Sequence, residues 1–297
     1  MLLPVTRQVR RPPELAYQVF RGSLAISDGV VSRDQLRSRA WRRVLRDVYA
    51  DSRLEHDHRL LIAATALVIP DGVVFAGQSA ACLFDVPVAR AVDPVEVIAP
   101  APIRFGPYAG LRIRHTDLAV TDVTIRGEYR VTTPERTAID LARQADLAAA
   151  VAGLDAMRRA KVADDVDLAA RIAVLSGRGS RQARRAWMLS DPRSESPLES
   201  RVRMLLVLAG LPPEVQFEVT VGGTFIARVD LAYSERRLAI EVDGAWHAED
   251  AQLVRDRRRL NRLLAAGWTV LHFTAADYYR RPEQIIAQVR TQVRRAA

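Results

Sequence analysis

From residue 197 to residue 295 the hydrophobic periodicity passes from helical to alternating and back in the order αβββαβα, an order that few folds accept. A helix is predicted over 197–209, with Pro197 at its first position and Gly210 just past its end. Strands follow over 216–221, 225–233 and 238–243, with Gly222 and Gly223 turning the first into the second. A helix over 249–266, a strand over 269–273 and a last helix over 282–295 complete the run.

Period-two alternation puts Ile226, Arg228, Asp230 and Ala232 on one face of their strand and Val229, Leu231 and Tyr233 on the other. In the next strand Leu238, Ile240 and Val242 share the apolar face, so Glu241 and Asp243 project together on the opposite side. If the strands are neighbours, three carboxylates converge. Such a group repels itself until a proton or a cation intervenes, and a hard divalent cation suits oxygen ligands. Asp230, Glu241 and the backbone carbonyl of Val242 are then candidate ligands for Mg²⁺ or Mn²⁺, and the chemistry implied is phosphodiester hydrolysis. His247, in the Gly244-Ala245-Trp246-His247 run that follows, is the candidate for handling the proton, because histidine titrates near neutrality. The same spacing also suits a half-exposed sheet whose acids pair with Arg228 or Arg237. Glu199 has two readings as well: Ser196-Pro197-Leu198-Glu199 is a capping box, and one glutamate can both cap and join a metal site. In the helix over 249–266, Leu253, Leu260 and Leu264 form an apolar stripe, and Arg255, Arg258, Arg259 and Arg262 lie on the opposite arc. That arc is either a solvated face or a row of DNA phosphate contacts.

The formal charge of +9 favours a polyanionic partner, with DNA the first candidate. Nearly all of the positive charge is arginine; Lys161 is the only lysine, so none stands near the acids. The single cysteine, Cys82, excludes an internal disulfide and a cysteine-based zinc cluster, and reads as core filler. No apolar run approaches the roughly 20 residues of a membrane span and the first residues lack a signal-peptide pattern, so no membrane association and a cytoplasmic location are expected.

Upstream, the polar run from Ser190 to Pro197 has linker composition, which gives three expected domains at 1–55, 56–190 and 194–297. In the first, Ser32 caps a short helix and residues 41–49 alternate as a strand, a pattern suited to a winged helix-turn-helix in which Arg42, Arg43 and Arg46 contact DNA. The second is a helical α+β middle region. It has helices from His58 and over 78–84, strands near 95–98, 111–115 and 129–132, and helical periodicity from Pro134 to Leu189. The fold class is α/β.

Glu199, Asp230 and Glu241-Val242-Asp243, set in the αβββαβ order, resemble the PD-(D/E)XK nuclease superfamily. The segment Glu241-Val242-Asp243-Gly244-Ala245-Trp246-His247, with Asp256-Arg257-Arg258, Leu263 and Gly267-Trp268-Thr269-Val270-Leu271, is similar to relatives of the very-short-patch-repair endonuclease. The resemblance spans about residues 194 to 290 and implies a restriction-endonuclease-like domain with Mg²⁺-dependent endodeoxyribonuclease activity. It gives Asp230 the place of the metal-binding aspartate, Glu241 that of the second acid, Val242 that of the carbonyl ligand, and His247 that of a histidine near the attacking water. Two features depart from it: Asp243 stands in place of the usual lysine, and the repair enzyme's zinc cysteines are absent.

Residues 30 to 141 resemble AbiEi-type antitoxins of abortive-infection systems. The resemblance is carried by Val31-Ser32-Arg33-Asp34-Gln35-Leu36, the 41–49 strand, Gln78-Ser79-Ala80-Ala81 and Val131-Thr132-Thr133-Pro134-Glu135-Arg136-Thr137-Ala138-Ile139-Asp140-Leu141. It implies a winged helix-turn-helix followed by a second domain, a defence, toxin–antitoxin or repair setting, and a toxin partner or homodimer left undetermined. Two functions follow. One is a DNA reader that delivers a metal-dependent endonuclease; the other is an antitoxin-like transcriptional regulator whose nuclease fold is catalytically degenerate.

Overall fold

The computed structural model describes residues 11–243 and 250–295, with side chains for 11–243 and 257–294. The chain divides into two compact units, Met1–Thr137 and Ala138–Ala297, and the division falls within one helix, Pro134–Ala142.

The first unit opens with β1 (Val19–Arg21), α1 (Gly22–Ser27), α2 (Arg33–Leu36), β2 (Trp41–Leu45) and β3 (Val48–Asp51), whose strands form an antiparallel sheet in the order β1-β3-β2. Ser32 caps α2, as the sequence predicts, and Gln35 completes a reciprocal capping box with it. Residues 41–49 are not one strand. They break at Arg46 and Asp47, where Asp47 takes φ +60° and its carboxylate accepts hydrogen bonds from the Ser23 N–H and hydroxyl. A side chain that satisfies backbone in this way lets a non-glycine residue hold a left-handed turn. Phe20, Trp41 and Leu36 form the small core beneath.

The same unit continues through α3 (His58–Ala66), β4 (Val74–Phe75), α4 (Gly77–Leu83), β5 (Val95–Ala99), β6 (Leu111–His115), β7 (Val123–Arg126) and β8 (Tyr129–Thr132), giving a mixed sheet in the order β6-β5-β4-β8-β7. Cys82 is buried in its core with Phe75 and Val97. The strands β4 and β7 were not predicted. The first is two residues long and buried throughout, which leaves no alternation to read.

Helix α5 (Pro134–Ala142) runs across the division, and α6 (Leu147–Arg159), α7 (Asp165–Ala173) and α8 (Ser180–Leu189) follow. Alanine and glycine make α6 slim, and its eight consecutive residues from Ala150 to Met157 are buried, which lets α9 (Pro197–Leu208) pack closely against it. The 190–196 segment is therefore not a loose tether: the Asp191 N–H is bonded to Asp155 at 2.7 Å, Arg159 donates to the Ser194 carbonyl at 2.9 Å, and Ser194 is buried.

Beyond α9 come β9 (Glu214–Val221), β10 (Thr224–Tyr233), β11 (Leu238–Asp243), α10 (Asp250–Ala265), β12 (Thr269–Thr274), α11 (Ala275–Arg280) and α12 (Pro282–Arg295), which is the expected αβββαβα run with α11 added. The sheet order is β12-β11-β10-β9, antiparallel except for the parallel β11–β12 pair. On one face Leu231, Ile240 and Phe273 pack with Val202 of α9 and Ile285 of α12. On the other, Val229, Ala239 and Trp268 pack with Leu263 of α10. Strict alternation along β10 fails at one place: Val229 and Leu231, two residues apart, belong to different faces. Their partners on β9 are Phe217 and Val215, and Gln216 between those two takes φ +50°. The sheet is irregular at the level of Asp230.

Candidate active site

Asp230 and Glu241 lie where β10 and β11 part. The ladder runs from Tyr233↔Leu238 to Leu231↔Ile240, and one residue further the Asp230 carboxylate accepts the Val242 N–H at 2.8 Å. A side chain thus replaces backbone pairing, holding the strands together while leaving an opening between their ends.

Glu241 is only 4% exposed. Its Oε2 accepts a hydrogen bond from Arg259 Nη2 of α10 at 3.0 Å, while its Oε1 has no partner among the described residues. Burial, then the neighbouring Asp230, pushes its pKa up to about 7, against the pull of Arg259. Burial also raises the pKa of Asp230, opposed by the Val242 N–H, Arg259 and the Gln216 side chain. Glu199, likewise buried, is raised by desolvation and by Asp230.

The α9 terminus explains why Glu199 belongs with these acids. Ser196 Oγ accepts from the Glu199 N–H at 3.1 Å, which is half of the predicted capping box. The returning half differs, because Glu199 Oε2 accepts the N–H of Glu195 at 2.7 Å and the Gln216 side-chain amide at 3.1 Å. The Gln216 side chain also acts to lower the Asp230 pKa, which puts one amide beside two of the acids. Asp243 stays at the rim, exposed, with His272 Nδ1 at 3.4 Å from its carboxylate. The structure therefore groups Glu199, Asp230 and Glu241 and leaves Asp243 outside the buried set.

Among the described residues no three His, Cys, Asp or Glu side chains form a ready-made metal cage. A hydrated hard cation does not need one, since Mg²⁺ takes one or two carboxylates and keeps several waters. Two raised-pKa carboxylates, one with a bare buried oxygen, fit that kind of group.

Of the predicted arginine row, Arg258 and Arg262 are exposed, and the side chain of Arg255 lies outside the described residues, as does His247. Arg259 is not on a free outer arc: it turns inward, to Glu241 and to the Arg228 carbonyl at 3.2 Å. In the first unit Arg43 and Arg46 are exposed, whereas Arg42 is half-buried and donates to the Ser52 and Leu54 carbonyls, both at 3.3 Å. The sequence reading missed Gln216, the inward role of Arg259, and His272. For His272 a signal existed. Leu271 and Phe273 face the core, so alternation puts His272 on the opposite side, and the parallel register sets it beside Glu241.

Residues 199–293 match the REase_MTES_1575 family, so the carboxyl-terminal domain is of the restriction-endonuclease-like class. Residues 50–191 match the AbiEi antitoxin C-terminal domain. Over 231 residues the chain is 31% identical to Uncharacterized protein MT2308 of Mycobacterium tuberculosis strain CDC 1551 and to Uncharacterized protein Rv2248 of strain H37Rv, covering 75% of this chain and 84% of each relative. The chain belongs to the family of these mycobacterial proteins and joins an AbiEi-type antitoxin region to a restriction-endonuclease-like domain, a layout that points to a toxin–antitoxin or defence role. No solved structure matches it. Among the described residues no helix is long and apolar enough to cross a membrane.

Proposed function

We propose that the chain is a Mg²⁺- or Mn²⁺-dependent endodeoxyribonuclease whose acid site, on the second compact unit, hydrolyses DNA phosphodiester bonds. The observation that carries this is the buried Glu241 carboxylate beside Asp230, with one oxygen lacking a partner among the described residues and its pKa pushed up to about 7. Asp230, Glu241 and the Val242 carbonyl would hold the ion. When bound, it polarises the scissile phosphate and acidifies water. The chain's own groups do the rest. The Val242 N–H orients Asp230, the Gln216 amide holds Glu199, which adds negative charge behind Asp230, and Arg259, now on Glu241, would be able to contact a phosphate if that carboxylate held the ion. No lysine is available to take a proton and arginine is too basic to do so, which leaves His247 as the proposed acceptor. Arg43 and Arg46, on the hairpin of a winged-helix-type element, together with Arg255, Arg258 and Arg262, are proposed phosphate contacts, and the setting is proposed to be cytoplasmic.

Two observations favour a second reading. Arg259 already neutralises Glu241, and the residue in the lysine's place, Asp243, is paired with His272. Both suit an antitoxin-like regulator that has kept the fold and lost the reaction. Incubating the protein with supercoiled plasmid and single-stranded DNA in Mg²⁺, Mn²⁺ or chelator separates the two. The nuclease reading requires metal-dependent cleavage that disappears in Asp230→Ala and in Glu241→Ala; the regulator reading requires DNA binding with no cleavage under any condition.

A further inference from the structure

The matched antitoxin region ends at residue 191 and the matched nuclease region begins at 199, yet the two share a deeply buried ion pair. Asp155 of α6 meets Arg203 of α9 at 2.7 Å, with side chains 1% and 6% exposed. Further bonds of the pair hold the end of the antitoxin-type region: Asp155 Oδ1 accepts the Asp191 N–H at 2.7 Å, and Arg203 Nη1 donates to the Leu189 carbonyl at 2.8 Å. Neighbouring residues of α6 extend the grip, Arg158 donating to Ser190 and Arg159 to the Ser194 carbonyl.

That segment leads directly into the acid site. Glu195 follows Ser194, gives its N–H to Glu199, and pairs through its side chain with Arg228 on β10, two residues from Asp230. Arg203 stands one turn beyond Glu199 on the same helix. Two helices can be held together by apolar contact alone, at lower desolvation cost than a buried ion pair. What the ion pair adds is direction, since it fixes particular carbonyl and N–H groups of residues 189 and 191 and so the path of the chain into Glu195. We infer that Asp155 and Arg203 are positioning residues for the acid site, through which α6 of the antitoxin-type region sets the placement of Glu195 and Glu199. The consequence for activity rests on the nuclease reading; the mechanical coupling does not.

The test uses the full chain carrying Asp155→Asn, with Arg203→Lys as a milder variant that keeps a charge opposite Asp155, and Ile172→Ala, a buried position on α7, as a control that lowers stability without touching the pair. Three readouts are compared at equal distance below each melting temperature: amide hydrogen exchange at Glu195 and Glu199, Mn²⁺ affinity, and kcat and KM on plasmid DNA. Coupling predicts faster exchange at both amides and a loss of about tenfold in Mn²⁺ affinity or kcat with KM unchanged, graded from Arg203→Lys to Asp155→Asn and absent in Ile172→Ala. Exchange at Glu195 and Glu199 equal to that of the control overturns the inference and leaves the pair a simple brace. If the wild-type chain neither cleaves DNA nor binds Mn²⁺, the nuclease reading fails while the exchange comparison still decides the coupling.

Discussion

Asp51 and Glu241 are both buried carboxylates at strand ends, one in each compact unit, and their surroundings are opposite. Asp51 is fully buried and accepts from the Arg11 and Arg53 side chains and from the Tyr17 and Arg53 N–H groups. Burial raises its pKa, but those bonds pull harder and hold it well below the usual carboxylate range. Among the described residues Glu241 has one donor, Arg259, and one oxygen without a partner, and burial with Asp230 nearby raises its pKa. A buried acid that the protein has satisfied is there to hold the fold. One left short of partners, next to another acid, is costly to the apo protein and pays only when something else binds.

This contrast can be broken in several ways. The largest expected effect is on catalysis: Asp230→Ala and Glu241→Ala should each reduce plasmid cleavage to background with circular dichroism unchanged, whereas Asp51→Ala should leave the catalytic rate per folded molecule intact. Loss of that rate in Asp51→Ala would erase the distinction. Next, His247→Ala should slow cleavage by roughly 10² to 10⁴ without abolishing Mn²⁺ binding, if it accepts the proton. A variant rate within a factor of two of wild type would move that role to His272, whose ring lies beside Asp243.

Stability should show the reverse order. Asp51→Ala strands two arginines and two N–H groups and is expected to cost roughly 2–3 kcal/mol in chemical denaturation. Glu241→Gln, measured in chelator, should instead stabilise at neutral pH. The sign follows from the shift. Below about pH 4.5 Glu241 is protonated in both states; as pH rises toward 7 the unfolded chain releases this proton first, so the folded state loses stability across that window. Glu199 and Asp230, shifted in the same direction, add to the decline. Asp51, shifted downward, acts oppositely: its contribution is present above its unfolded value of 3.8 and is lost as pH falls. Melting curves from pH 4.5 to 8 in chelator should therefore decline less steeply for Glu241→Gln than for wild type, and parallel curves would contradict the assigned shift.

The smallest effect concerns DNA binding by the first unit. Arg43 and Arg46 are exposed, so replacing both by alanine should lower the slope of log affinity against log salt by about 0.9 for each phosphate contact removed. Arg42→Ala should act on stability instead, because its guanidinium is spent on the Ser52 and Leu54 carbonyls. An unchanged slope in the double variant would remove this hairpin from the DNA interface.

Much of the second unit was legible because its signals are local. The 238–243 strand matches residue for residue, since Leu238, Ile240 and Val242 define one apolar face and leave Glu241 and Asp243 opposite. The acids were found by the same rule. What escaped depended on departures from regular backbone or on distant partners. Alternation assumes an unbroken strand, and nothing in the residue type of Gln216 announces a positive φ, while at Asp47 an aspartate only permits one. Arg259 sits on a charged helix face, and only the burial of Glu241 on another element turns it inward. The 190–196 segment has linker composition, but its polar groups are those that α6 and α9 require as partners.

Calorimetric titration of the full chain with Mn²⁺ at pH 7.5 tests the central claim most directly, comparing wild type with Glu241→Gln and Asp51→Asn. The account predicts saturable binding to the wild type that is lost in Glu241→Gln, unchanged in Asp51→Asn while that variant stays folded, and accompanied by a rise in wild-type melting temperature as the carboxylate repulsion is relieved. Equal Mn²⁺ binding by wild type and Glu241→Gln, or none by either, would contradict it.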